Sequence, residues 1–164
     1  MMHIRFESPN QPDVIALIAA LDAFQSSLYP AESNHFVDIA TLDASDVLFA
    51  VARDDTGAAV GCGAVMLHAA SATDASYGEV KRMFVPEEQR GRGIAAALLD
   101  ALTVASRARG CEVLRLETGI HQHDAIRLYE RTGFVRRSPF GDYAADPLSV
   151  FMERQTAACQ VPQR

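Results

Sequence analysis

The sequence predicts an α/β (α+β) domain, with a mixed central sheet of about six to seven strands and flanking helices. Two observations carry this prediction. Stretches of alternating hydropathy are interleaved with stretches of helical period, in the order strand, helix, several strands, helix, strand, helix, strands. Hydrophobic residues make up 49% and charged residues 22% of 164 residues, enough apolar material for one buried core without a disulfide or metal staple. We assign residues 1–154 to a single domain and residues 155–164 to a C-terminal tail.

The elements follow in order. Residues 3–7 alternate as a first strand, which Ser8-Pro9-Asn10 breaks. Pro12 opens a helix in which Val14, Ile15, Leu17, Ile18, Leu21 and Phe24 recur at helical spacing. Residues 26–36 are polar, aromatic and interrupted by Pro30, and read as a loop, with a short helix over 38–42. Strands over 47–53 and 58–67 flank the turn Asp54-Asp55-Thr56-Gly57. The second of these strands carries glycines, which points to a bulge or close packing. A further strand over 77–85 stops at Pro86. Residues 93–109 form the strongest helix, with Ile94, Leu98, Ala101, Leu102 and Ala105 on one face and Gly110 closing it. A strand over 111–117, a helix over 124–131 closed by Thr132-Gly133, and strands over 134–137 and 148–153 complete the chain.

Charge narrows the function. Fifteen Lys plus Arg against 21 Asp plus Glu give a net charge of −6, which argues against a broad nucleic-acid surface but leaves room for one local anion pocket. The longest uncharged run, residues 57–67, is well short of the roughly 20 residues that span a bilayer, so no membrane partner is expected. Three cysteines, Cys62, Cys111 and Cys159, lack CxxC spacing and suit a reducing, cytoplasmic setting.

One segment carries chemistry. In Val80-Lys81-Arg82-Met83-Phe84-Val85-Pro86-Glu87-Glu88-Gln89-Arg90-Gly91-Arg92-Gly93-Ile94-Ala95 a strand ends and a Gly-rich turn opens an amphipathic helix. Unpaired amides at a helix start, the helix dipole and two arginines make a cradle for a pyrophosphate. A P-loop is excluded because no Lys-Ser/Thr follows the glycines, and a dinucleotide fingerprint fits poorly because Ala96 stands where its third glycine would. The remaining pattern is Arg90-x-x-Gly93-x-Ala95.

This segment resembles the coenzyme A pyrophosphate loop of the GNAT superfamily of N-acetyltransferases. Glu79 to Val85 is similar to that family's fourth strand, and Ala125-Ile126-Arg127-Leu128-Tyr129-Glu130-Arg131-Thr132-Gly133-Phe134 to its A-x-x-LYE-x-x-GF motif. The resemblance covers residues 2–153 and implies the acyl-CoA N-acyltransferase fold, with acetyl-CoA as cofactor. It implies that the fourth and fifth strands splay apart, that Met83, Phe84 and Val85 bind the pantetheine arm, and that Arg90, Gly91, Arg92, Gly93, Ile94 and Ala95 hold the pyrophosphate. Gln122 stands where many relatives carry Asn, three residues before Ala125, and with Ala125 is assigned to the cofactor.

The resemblance also implies catalytic roles. Glu79 is the first candidate for the general base, against a solvated carboxylate or an ion pair with Lys81, and Glu117 is the second. Tyr129 is the candidate acid for the departing thiolate and also binds cofactor, against simple packing on Phe134. The acceptor site is assigned to Tyr29, Glu32, Asn34, His35, Arg82 and Glu117, with Glu32 for an ammonium and Arg82 for a carboxylate; local capping by Glu32 and Asn34 is the competing reading. The segment Tyr29-Pro30-Ala31-Glu32-Ser33-Asn34-His35 resembles a poorly characterised subgroup of the family. No metal site is expected, because His121 and His123 alternate along a loop without further ligands. The implied function is acetyl transfer to a primary amine of a small or amino-acid-like acceptor in a ternary complex. Protein or peptide amine acetylation and non-catalytic acyl-CoA binding are the alternatives. Family habit and open strand edges point to a homodimer.

Overall fold

Turn chemistry builds the first half of the sheet. Asp54 accepts the amides of Thr56 and Ala58, and Gly57 adopts a φ of 85°, so the chain reverses between Val47–Arg53 (β2) and Ala59–His68 (β3). The computed structural model describes residues 1–157. With His3–Phe6 (β1), Tyr77–Phe84 (β4), Val113–Gly119 (β5), Val135–Arg137 (β6) and Ser149–Gln155 (β7), the strands form one seven-stranded sheet in the order β1-β2-β3-β4-β5-β7-β6. All neighbours are antiparallel except β4 and β5, which run parallel and are joined through the helix Ile94–Ala108 (α3).

Both faces of the sheet are covered. Ala50 and Ala52 of β2 join a core with Leu98, Leu99 and Leu102 of α3, Leu114 and Leu116 of β5 and Met152 of β7. Their sequence neighbours Phe49 and Val51 join a second core with Val14, Leu17 and Ile18 of the helix Pro12–Leu28 (α1). The short helix Ile39–Leu42 (α2) is capped by the Asp38 carboxylate on the Thr41 amide, and His123–Arg131 (α4) precedes β6. No helix among the described residues is long and apolar enough to cross a membrane.

Several boundaries move relative to the sequence reading, three of them at α1, β5 and the assigned tail. α1 runs on to Leu28, because nothing before Pro30 interrupts the helix. β5 continues through Thr118 and Gly119, which pair with Val150 and Ser149. Gln155, assigned to the tail, is the last residue of β7 opposite Val113. Thr156 is buried as well, its amide donating to Glu112 and its hydroxyl to Cys111. Residues 158–164 of the assigned tail, with Cys159, lie outside the described residues.

The sheet opens at one place. β4 and β5 pair from Gly78↔Leu114 to Val80↔Leu116 and no further. On the other side of β4 the register with β3 slips by one residue, between Ala64↔Lys81 and Cys62↔Phe84, so Arg82 and Met83 together oppose Gly63. The bulge falls on β4, across from the glycine-bearing strand. Gly63 permits it, because a Cβ there would lie 2.2 Å from the Met83 sulfur. Arg82 has a φ of 57°, the left-handed conformation that non-glycine residues avoid. Three contacts hold it there: an ion pair with Asp22 of α1, the Phe36 ring 5.4 Å from its guanidinium, and the Cys62 thiol donating to its carbonyl at 3.5 Å.

The Asp22→Ala variant leaves the buried Arg82 guanidinium without its counter-charge. It should lose about 2 kcal/mol of stability in urea unfolding, with Asp22→Asn losing less. Loosening of the bulge should also weaken CoA binding in calorimetric titration; unchanged stability and affinity would show that the pair does not hold the bulge.

Candidate active site

The splay creates an open edge. From Lys81 to Phe84 the β5-facing side of β4 has no strand partner among the described residues. A cleft of about 790 Å³ runs from Met83, Phe84 and Val85 to Arg90, Gly91, Gly93, Ile94 and Ala95, and on to Gln122, Ala125 and Tyr129. Gly93 is the N-cap of the fifteen-residue α3, and Ala97 is the first helix residue whose amide returns to it. The amides of Ile94, Ala95 and Ala96 therefore lack intrahelical partners and face the cleft at the positive end of the dipole. Gly91 and Gly93 have φ of 78° and 75°, and a Cβ on either would meet nothing within 4 Å. Backbone conformation, and not crowding, requires glycine here.

The two arginines of this loop differ. Arg90 borders the cleft; its Nε donates to the Val85 carbonyl at 3.0 Å and its guanidinium lies 5.9 Å from the Phe24 ring. Arg92, assigned to the pyrophosphate, does not border the cleft: it sits between two left-handed glycines, exposed, and donates to the Gln89 side chain. Gln122 lines the cleft but spends its Oε1 on the Gly119 amide at 3.1 Å, leaving Nε2 as the group without a partner among the described residues.

A second pocket, of about 70 Å³, adjoins the cleft and shares Met83, Gln122, Ala125 and Tyr129 with it. Tyr129 is buried, at 6% exposure, and packs edge-on against Phe134 with ring centroids 5.5 Å apart. Burial, helped by the nearby charge of Glu117, pushes its phenol well above the ordinary value, so it stands in the pocket as a protonated donor.

The acceptor-side residues fall into two groups. Tyr29, Asn34, His35 and Glu117 line the small pocket. Tyr29 stacks on His121 at 5.6 Å and its hydroxyl accepts the His121 amide at 3.1 Å. Asn34 caps the local turn, its Nδ2 donating to the Pro30 carbonyl at 3.3 Å. The His35 ring lies edge-on to Tyr143 at 4.8 Å. Glu32, assigned to an acceptor ammonium, is exposed and outside the pocket; the 3₁₀ turn Ala31–Ser33 directs Ser33 inward instead, where it donates to Asp146 at 2.7 Å. Arg82 also borders the pocket; its side chain is only 4% exposed, one guanidinium nitrogen is tied to Asp22, and its Nε is buried without a partner among the described residues.

The two candidate bases differ in surroundings. Glu79 does not line the pocket. Its Oε2 accepts the Tyr143 hydroxyl at 2.6 Å with Lys81 Nζ at 3.5 Å, and its Oε1 meets His68 Nε2 at 3.1 Å. Burial alone would raise its pKa, but His68, the Lys81 charge and Tyr143 together hold it below the usual carboxylate value. Glu117 lines the pocket and is pushed above the usual value, chiefly by burial, with Ser149, His35 and Lys81 pulling it back and Glu79 adding to the rise. Of the two carboxylates, Glu117 is the one that borders the pocket, and Glu79 stands behind Lys81 and Tyr143.

Lys81 as a pocket wall, Tyr143 and His68 escaped the sequence reading. Lys81 was legible: it lies two residues from Glu79 on a strand, hence on the same face. Tyr143 sits in an aperiodic loop and gives no such signal. Cys62, buried and pushed up to about 12, and Cys111 line neither cavity.

Comparison with known proteins gives the family and the fold. Residues 16–134 match the model of the acetyltransferase (GNAT) family. An Azospirillum brasilense protein named IAA acetyltransferase is 49% identical over 90% of this chain and 94% of its own length. An uncharacterised N-acetyltransferase of Bacillus subtilis is 31% identical over 94% of this chain and 99% of its own. The crystal structure of a Klebsiella pneumoniae protein assigned as an acyl-CoA N-acyltransferase superposes with a TM-score of 0.80 at 42% identity, covering 95% of this chain and 98% of that one.

Gly119 is a test of the pocket wall. A Cβ there would lie 1.8 Å from the Tyr29 hydroxyl and 2.0 Å from its ring. Gly119→Ala should displace Tyr29, cost about 1–3 kcal/mol in thermal or urea unfolding, and raise the acceptor KM more than the acetyl-CoA KM. Equal effects on both would place the damage in the fold at large.

Proposed function

We propose that this chain, which belongs to the acetyltransferase (GNAT) family and uses acetyl-CoA, transfers acetyl directly to the primary amine of a small, amino-acid-like acceptor. The observation that carries the proposal is the joint presence of Glu117 and Tyr129 on the small pocket that opens into the cleft. One is a carboxylate with enhanced basicity, the other a phenol that keeps its proton.

Acetyl-CoA supplies the thioester. The chain's residues supply the rest. Arg90 and the free amides of α3 bind the pyrophosphate, and the unpaired edge of β4 binds the pantetheine amides as an added strand would. An acceptor arriving as an ammonium has no lone pair; Glu117 takes one proton from it. Free amides of β4 near Met83 stabilise negative charge developing on the carbonyl oxygen. Tyr129 gives its proton to the departing sulfur and recovers one from the pocket. The pocket volume of about 70 Å³ favours a small acceptor over a peptide. The free, buried thiols of Cys62 and Cys111 support direct transfer and a reducing, cytoplasmic setting. The open edge at β6, where Val135 is 65% exposed, supports a homodimer.

Thiol release from acetyl-CoA should be measured over free amino acids, small amines, IAA and short peptides. We expect turnover with free amino acids or small amines; turnover with peptides alone would replace the acceptor class, and CoA binding without any turnover would make the chain a binding module. In the wild type, kcat/KM should fall towards low pH as Glu117 is protonated, with a midpoint above the ordinary carboxylate range. Glu117→Gln should remove that limb and lower kcat by about 10²-fold. Tyr129→Phe should lower kcat about tenfold with little change in the acetyl-CoA KM.

A further inference from the structure

Glu79 is left without a role by the reading above, yet it is the best-connected buried carboxylate near the site. Lys81 Nζ, on the pocket wall, donates to the Tyr143 hydroxyl at 2.8 Å. That hydroxyl donates to Glu79 Oε2 at 2.6 Å, and Glu79 Oε1 meets His68 Nε2 at 3.1 Å. The inner members are enclosed and the outer one meets solvent: the side chain of Lys81 is 12% exposed, that of Glu79 7% and that of His68 36%. His68 stacks on Tyr77 at 4.7 Å, which holds the imidazole in line. The network draws on three separate parts of the chain, β4, the end of β3 and the loop before β7, so no local turn requirement accounts for it.

We propose that Lys81, Tyr143, Glu79 and His68 form a side-chain relay carrying the proton released in acetyl transfer from the acceptor pocket to solvent. The inference rests on the amine-acetylation reading. Converting an ammonium and a thioester to an amide and a thiol releases one net proton. The relay moves it without any covalent change. Lys81 passes a proton to the Tyr143 oxygen as Tyr143 passes its own to Glu79 Oε2, and Lys81 is recharged from the pocket side, where Glu117 holds the proton of the acceptor. The Glu79 carboxyl then turns about its Cγ–Cδ bond and gives the proton received from Tyr143 to His68 Nε2, the receiving imidazole being the neutral tautomer that carries its hydrogen on Nδ1. His68 releases its Nδ1 proton to water or buffer, and tautomer exchange through solvent resets the chain. Glu79 is thereby a relay group set behind the pocket, and its several donors are what a relay requires.

The test is acetyl transfer to the fastest amine of the acceptor panel, measured in weakly buffered solution and again with added 1-methylimidazole. His68→Ala and His68→Gln should each lower kcat about tenfold at low buffer, with KM for acetyl-CoA unchanged. Added 1-methylimidazole should restore most of that loss in His68→Ala. Tyr143→Phe, broken upstream of the surface, should lose a similar factor that imidazole does not restore. A His68→Ala enzyme with wild-type kcat at low buffer, or a loss that 1-methylimidazole leaves untouched, would overturn the relay. Wild-type turnover tells the two readings apart: if the unaltered enzyme acetylates no amine, the amine-acetylation reading fails and the relay fails with it, whereas normal wild-type turnover with an indifferent His68 removes the relay alone.

Discussion

The site depends on one local distortion of the sheet. The extra residue on β4 opposite Gly63 comes just after Val80↔Leu116, the last pair that joins β4 to β5, so the bulge and the cleft share one stretch of the strand. The distortion places Arg82 in a left-handed conformation that costs of order 1–2 kcal/mol. Surrounding structure offsets that cost through the Asp22 ion pair, the Phe36 ring and the Cys62 thiol. Arg82 thereby ties α1 to the strand whose edge is left open towards β5.

The same opening separates two carboxylates by function. Glu79 and Glu117 sit on adjacent parallel strands and feel each other's charge. Their environments push them in opposite directions. Glu79 has His68, Lys81 and Tyr143 around it and stays ionised. Glu117 is comparably enclosed but has weaker support, so burial prevails and its basicity rises. Partner number, not sequence position, decides which of two similarly enclosed acids is the more basic.

The phosphate end relies on backbone more than on side chains. Two positive-φ glycines set the path into α3, so that its first amides converge on the cleft. Arg90 stays within reach of that point while Arg92 is turned to solvent. A protein with net charge −6 can hold a dianionic group this way, because the positive potential comes from oriented amides as well as from formal charge.

Order and type of elements were legible in the sequence by itself, because hydropathy period, Pro and Gly placement and the Asp54 turn are local signals. The glycine-rich turn into α3 and the place of Tyr129 on the helix beside the cleft were legible for the same reason: Arg90 to Ala95 and the Leu128-Tyr129-Glu130 run are contiguous, and their local conformation is set by short-range geometry. What only the tertiary structure decided is how charged side chains are spent. Asp22 meets Arg82 and Tyr143 meets Glu79 across 60 and 64 residues of chain. Glu32 and Arg92 are turned outward by turns whose handedness no composition reveals, and Gln155 is drawn into a strand by its partner Val113. A charged residue's role depends on burial and on the charges beside it, and both are fixed by contacts between segments far apart in sequence.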